Sequence, residues 1–191
     1  MATTLLAYLL VAAFLLTEGR LRQSSEARSL EPGASDRGST RLIGAYFGVA
    51  CVARVIAPLL NGLPRGHLGH PALAGWAGIL TMVGGIALRF WANRALGAYY
   101  TRTLRTAPEQ RIARNGPYRL IRHPGYLGVV LMWAGAGLAT VNWITGAIIV
   151  VGALAVYGYR IRSEEAMLAE AFGPQYGAYE ARTWRLIPFI F

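Results

Sequence analysis

Residues 125–159 read GYLGVVLMWAGAGLATVNWITGAIIVVGALAVYGY, thirty-five positions without one charged side chain. A helix that crosses a bilayer needs about 20 apolar residues, with roughly 17 to 25 observed. This run is too long for one crossing and is interrupted by the polar Thr140 and Asn142, so it divides into helices over 125–141 and 143–159. Each is at the lower length limit, and together they predict a tight helical hairpin with almost no outer loop. Working outward, residues 2–17, 42–60 and 72–96 have the same character.

The predicted fold class is therefore all-α: a polytopic integral membrane protein with five transmembrane helices, forming one membrane domain over residues 1–191. Composition agrees, because 54% of residues are hydrophobic, 15% are charged and mean hydropathy is +0.37, whereas soluble domains carry about 25% charged residues. The first stretch has a rival reading as a signal peptide. No Arg or Lys precedes its apolar run, so the basic n-region is missing and it reads as a retained anchor.

All nineteen basic residues are arginine, and the formal charge is +10. Such a balance raises the possibility of a nucleic-acid partner, but arginines beside apolar runs record topology instead. Sixteen fall in the segment after the first span, the segment between the third and fourth spans, and the tail, against Arg65 alone in the opposite loops. The positive-inside rule then predicts an outside N-terminus, an inside C-terminus and a working surface facing the cytoplasm. All nine carboxylates fall on that same side. No nucleic-acid partner is expected, and membrane lipids are. Arginine-only, Ala- and Gly-rich usage points to a GC-rich bacterial genome, and so to a bacterial cytoplasmic membrane.

Arg54 and Arg89 lie within spans, where charge marks function by default. Both read here as interfacial side chains near helix ends. Residues 23–40, rich in Ser, Gly, Arg and acid, read as a mobile loop with a little helix. The lone Cys51 reads as a buried thiol. His67 and His70 lack a third ligand nearby and read as polar loop residues, so no metal site is expected.

The chemistry concentrates in two stretches. Residues 114–128 read RNGPYRLIRHPGYLG: Asn115, Gly116 and Pro117 form a turn, and Pro124 with Gly125 makes a second break before an apolar span. Between them stand Tyr118, Arg119, Arg122 and His123, followed by Tyr126. Irregular, donor-rich backbone at a membrane boundary needs protein or cofactor partners if it dips into lipid. Residues alone leave this open between a cofactor site and an ordinary juxtamembrane arginine cluster. Residues 159–191 read YRIRSEEAMLAEAFGPQYGAYEARTWRLIPFIF. On a helix, Arg160 and Glu164 are i, i+4 neighbours while Glu165, Leu168 and Phe172 share another face. Gly173 and Pro174 close that helix before a second short one. Glu170 and Glu180 read as surface carboxylates, whereas the pair Glu164 and Glu165 stands at the mouth of the hairpin.

GPYRLIRHPGYLG, followed after the hairpin by RIRSEEAMLAEAFGPQYGAYEARTWRLIPF, resembles the isoprenylcysteine carboxyl methyltransferase family and its phospholipid N-methyltransferase relatives. The resemblance covers residues 114–191, the predicted cofactor-binding and catalytic region, while residues 1–96 match only as hydrophobic helices. It implies a membrane-embedded enzyme that holds S-adenosylmethionine near the cytoplasmic face and methylates a lipid or isoprenoid acceptor, at a carboxyl oxygen or an amine. It implies cofactor contacts from Tyr118, Arg122, His123, Pro124, Tyr126, Leu127, Gly128, Glu164 and Glu165, and it places Glu165 and Arg182 beside the transferred methyl group. No strand with a Gly-rich turn of the soluble dinucleotide-binding kind is legible, which agrees. The short N-terminus and the RTWRLIPFIF ending depart from the eukaryotic prenylcysteine enzymes. In a bacterium, an amino-lipid or terpenoid acid replaces prenylcysteine as the expected acceptor.

Two other readings compete. Sterol-type membrane reductases resemble the C-terminal half and use NADPH. A non-enzymatic scaffold or small transporter predicts no cofactor binding, and no internal repeat of the transporter kind is evident.

Overall fold

A computed structural model describes residues 2–20, 36–60, 71–97, 111–140 and 143–190. Its helices are α1 (Ala2–Arg20), α2 (Ser39–Leu60), α3 (Pro71–Leu96), α4 (Pro124–Ala139), α5 (Trp143–Phe172) and α6 (Pro174–Glu180), with a 3-10 turn over Gly116–Arg119. Among the described residues there is no strand, only one isolated parallel bridge between Ile121 and Trp184. The structure is thus all-α. Each of the five apolar stretches forms a helix at its predicted place. Two, Ala72–Leu96 and Ile144–Phe172, are long and apolar enough to cross a membrane, and Ala2–Glu18, Ser39–Ala53 and Pro124–Ala139 are shorter apolar helices. At 1.5 Å per residue, the 16-residue α4 is about 24 Å long.

Small residues set the packing. Adding a Cβ to Gly85 would bring it within 2.5 Å of the Gly128 carbonyl, and one on Gly135 would meet the Gly78 carbonyl at 2.5 Å. The pairs Gly78 with Gly135 and Gly85 with Gly128 lie two turns apart on each helix, the register of an antiparallel α3–α4 pair whose backbones touch. The hairpin closes in the same way, since a Cβ on Gly137 would lie 2.7 Å from the Gly146 Cα. α2 docks through rings: Trp133 of α4 meets Phe47 and Tyr46 edge-on at 5.5 and 6.3 Å, and the Tyr46 hydroxyl donates to the Ile149 carbonyl at 3.0 Å.

Large apolar side chains also face outward. Leu16, Val55, Leu73 and Leu80 are each at least 70% exposed. An apolar exterior of this extent suits lipid rather than water as solvent.

α5 runs unbroken for 30 residues, about 45 Å. Hydropathy divides this stretch at Tyr159, but no Gly or Pro breaker stands between Tyr159 and Phe172, so the apolar part and the part carrying Glu164 and Glu165 are one rigid rod. Gly173, at φ +50, ends it, and Pro174 starts α6. Of the predicted mobile loop, residues 23–35 lie outside the described residues, as do the Arg65 loop, His67 and His70 and the side chain of Arg54. Its last part is ordered: helix α2 begins at Ser39, three residues before the apolar run.

Candidate active site

The site assembles where α4 begins and α5 leaves its apolar half. Gly116, at φ +55, turns the chain into the 3-10 turn, and Pro117 and Tyr118 are buried there. Residues 120–123 then pass beside the tail. The Trp184 amide donates to the Leu120 carbonyl at 2.9 Å, the Arg122 amide to the Trp184 carbonyl at 2.8 Å, and the His123 amide to the Arg185 carbonyl at 3.2 Å. Pro124 opens α4, where a missing amide proton costs nothing. Gly125 lies against the Arg89 guanidinium, where a Cβ would come within 2.9 Å of Nη1.

Arg122 is held on all sides. Its Nε donates to Glu165 Oε1 at 2.9 Å, its Nη1 to the Glu180 and Thr183 carbonyls at 3.0 and 2.6 Å, and its Nη2 lies 3.2 Å from Glu180 Oε1. His123 Nε2 lies 3.3 Å from the same Glu165 oxygen, and Arg185 Nε is 2.8 Å from Glu165 Oε2. An ionised carboxylate only accepts, so the His123 tautomer that makes this hydrogen bond is the one with its proton on Nε2. Burial opposes ionisation of Glu165, yet the hydrogen bonds and charges of His123 and Arg122 outweigh it and hold the carboxyl at about 2.

Glu164 has a different setting. The Tyr126 hydroxyl donates to its Oε2 at 2.6 Å, His123 Nδ1 is 3.9 Å from that oxygen, and a quarter of the side chain is exposed. The Tyr126 ring stacks on His123 at 5.6 Å between centroids and meets Tyr157 at 5.2 Å. Around this core, burial pushes the phenols of Tyr118, Tyr176 and Tyr179 up, the last to about 12. Tyr179 donates to the Tyr118 carbonyl at 2.9 Å, which fastens α6 to the 3-10 turn.

The structure therefore brings Arg122, His123, Tyr126, Glu164 and Glu165 into one cluster, with Tyr118 and Pro124 packed beside it. Leu127 and Gly128 lie in the first two turns of α4, and Gly128 serves the α3 contact. Arg182 is exposed, and among the described residues its side chain makes no hydrogen bond or ion pair. Arg185, three positions later, reaches Glu165 instead. Glu180, read as a surface carboxylate, joins Arg122. Arg160, Asp36 and Arg89 also enter the surroundings; the i, i+4 spacing of Arg160 and Glu164 and the intramembrane charge of Arg89 were legible, and Asp36 was not. Among the described residues no group of three or more His, Cys, Asp or Glu side chains is arranged to hold a metal ion.

The family model for isoprenylcysteine carboxyl methyltransferase (ICMT) matches residues 66–170, more than half of the chain and both halves of the cluster. The chain belongs to this family. Similar relatives include a probable protein-S-isoprenylcysteine O-methyltransferase of rice, 25% identical over 151 residues that cover 78% of this chain and 79% of the relative. The Bacillus subtilis protein YpbQ is 24% identical over 85% of this chain and 96% of its own length. A cobalt-zinc-cadmium resistance protein, CzcN, of Cupriavidus metallidurans is 32% identical over 72% of this chain and 60% of its own. ICMT-family membership accordingly supports a membrane methyltransferase and leaves the acceptor open. Glu180, Arg182 and Arg185 lie beyond the matched residues, and geometry alone ties Glu180 and Arg185 to the ICMT-family core.

Proposed function

We propose that this ICMT-family protein is an integral membrane enzyme that transfers a methyl group from S-adenosylmethionine to a lipid-borne or isoprenoid acceptor at the cytoplasmic face. The observation that carries the reading is the junction of Tyr126, His123 and Arg122 with Glu164 and Glu165, two motifs about 40 residues apart held together by hydrogen bonds. All five apolar helices cross the membrane in this reading, with residues 1–96 as the N-terminal helices of one domain and residues 114–191 as the catalytic region.

The donor set fits the cofactor. An ammonium calls for an acid, a carboxylate for a base or backbone amide, and an adenine for an aromatic or apolar slot. Glu164, partly exposed, supplies the acid, and the rings of Tyr118, Tyr126 and His123 supply aromatic faces. Pro124, Leu127 and Gly128 supply the apolar start of α4, while Arg122 and Glu165 brace the cluster. When bound, S-adenosylmethionine supplies an electrophilic methyl group on a sulfonium. Direct displacement needs no nucleophilic side chain, so the chain's contribution is alignment and exclusion of water.

Glu165 and Arg182 are assigned to turnover. A carboxylate acceptor calls for Arg182 as an electrostatic clamp, and an amine calls for Glu165 to attract its charge or take its proton. Loss dominated by Arg182→Ala then identifies an acid, and loss dominated by Glu165→Gln identifies an amine. If neither lowers the rate by about tenfold, equivalent to roughly 1.4 kcal/mol of barrier, the assignment is wrong.

Thermal unfolding of the purified protein with added ligands tests the cofactor. A rise with S-adenosylhomocysteine and none with NADPH supports methyl transfer. The reverse supports the sterol-type reductase, and no shift with either supports a scaffold.

A further inference from the structure

The N-terminus of α2 reaches the cluster through a buried chain of polar contacts. Asp36 and Arg160 are 1% and 3% exposed. Arg160 Nη1 donates to Asp36 Oδ1 at 2.6 Å, to Ser39 Oγ at 2.7 Å and to Thr40 Oγ1 at 3.2 Å. Asp36 is itself fixed by the first turn of α2: Ser39 Oγ and Thr40 Oγ1 donate to its Oδ1 at 3.0 and 2.6 Å, and the Thr40 amide donates to its Oδ2 at 3.2 Å. These hydrogen bonds and the Arg160 charge hold the carboxyl below its ordinary range despite burial.

The far side of the guanidinium faces the site. Arg160 Nε donates to the Tyr126 hydroxyl oxygen at 3.2 Å, and that hydroxyl donates to Glu164 at 2.6 Å. A phenol has one proton. With Arg160 donating to its oxygen, the proton has to point elsewhere, and Glu164 is where it points. A buried ion pair adds little net stability over apolar side chains of similar volume, so stability is a weak reason for this one.

We propose that the Asp36–Arg160 pair is a positioning device for the cofactor site, fixing the direction of the Tyr126 hydroxyl proton and through it the Glu164 carboxylate. Neither residue touches the cofactor; both act through Tyr126. The inference rests on the reading of Tyr126 and Glu164 as cofactor contacts.

The test uses the full-length protein in detergent, with S-adenosylhomocysteine as the calorimetric probe. Asp36→Asn weakens binding by about tenfold in the native background and by less than about twofold in a Tyr126→Phe background, the coupling expected of one charge-assisted hydrogen bond acting through another. Ultraviolet resonance Raman, taken as the difference from Tyr126→Phe, reads the Tyr126 hydroxyl without any ligand. Its proton-donor signature is present in the native protein and lost in Asp36→Asn. Should Asp36→Asn not fold, Arg160→Lys takes its place with the same expectations. Equal losses in both backgrounds, or an unchanged Tyr126 signature, overturn the positioning role. Failure of the native protein to bind S-adenosylhomocysteine overturns the cofactor reading, while the Raman difference still decides whether the pair orients Tyr126.

Discussion

Arg89 Nε lies 2.8 Å from Glu18 Oε1, and only 12% and 11% of the two side chains are exposed. The pair joins α1 to α3, and the same Arg89 side chain lies against Gly125 at the start of α4. Arg89→Ala strips Glu18 of this partner in a poorly solvated place and destabilises the fold by about 3 kcal/mol, whereas the double replacement Glu18→Leu with Arg89→Met restores most of the loss. Reversible unfolding in mixed micelles measures both. Equal stability of the single and double variants removes the energetic role of the pair.

Gly85 and Gly84 make a matched pair on adjacent positions of α3. A Cβ on Gly85 meets backbone atoms of α4, while one on Gly84 meets nothing within 4 Å. Gly85→Ala therefore forces the α3–α4 backbones apart and lowers the yield of monodisperse protein severalfold. Gly84→Ala leaves it unchanged. Size-exclusion profiles after detergent extraction compare them directly, and equal profiles refute the close approach.

Glu165 gives the pH dependence. Its carboxyl stands at about 2 in the folded protein against an ordinary 4.5, so the unfolded chain binds its proton first as pH falls. The stabilisation it confers is complete above about pH 4.5 and is lost as pH falls from there through about 2. Thermal midpoints between pH 7 and pH 3 drop steeply below pH 4.5 in the native protein. Glu165→Gln starts lower at pH 7 and is flatter across that window. Parallel curves contradict the ion-paired setting of Glu165.

Membrane orientation is tested in a Cys51→Ala background with single cysteines from Arg65→Cys and Phe189→Cys. A membrane-impermeant maleimide labels position 65 from outside, and position 189 only after permeabilisation. Equal labelling of both from outside overturns the five-span arrangement.

The five apolar helices were legible because hydropathy records the solvent each stretch can tolerate. The meeting of residues 114–128 with Glu164 and Glu165 was legible through the Pro and Gly breaks that force the chain to turn at a membrane boundary, together with the family resemblance. Hydropathy could not show that α5 continues past Tyr159, because a change of solvent does not interrupt backbone hydrogen bonds. The family resemblance, rather than the residues alone, pointed to Arg182 in the tail. The tail leaves the helix after Glu180 and runs beside residues 120–123, and that brings Arg185 to Glu165. Asp36 was hidden in a Ser- and Gly-rich stretch, since its partner Arg160 lies 124 residues away and no local pattern marks such a contact.

The central claim is methyl transfer to a membrane-borne acceptor, and the most direct measurement supplies methyl-labelled S-adenosylmethionine to the purified protein with a total lipid extract of its host. The account predicts label in an organic-soluble product, identified by mass as a methyl ester or methylated amine. It also predicts at least about a tenfold loss in Tyr126→Phe and His123→Ala, which remove contacts from the proposed cofactor site. Label that stays entirely in the aqueous phase with the native protein, or that appears equally with both variants, contradicts it.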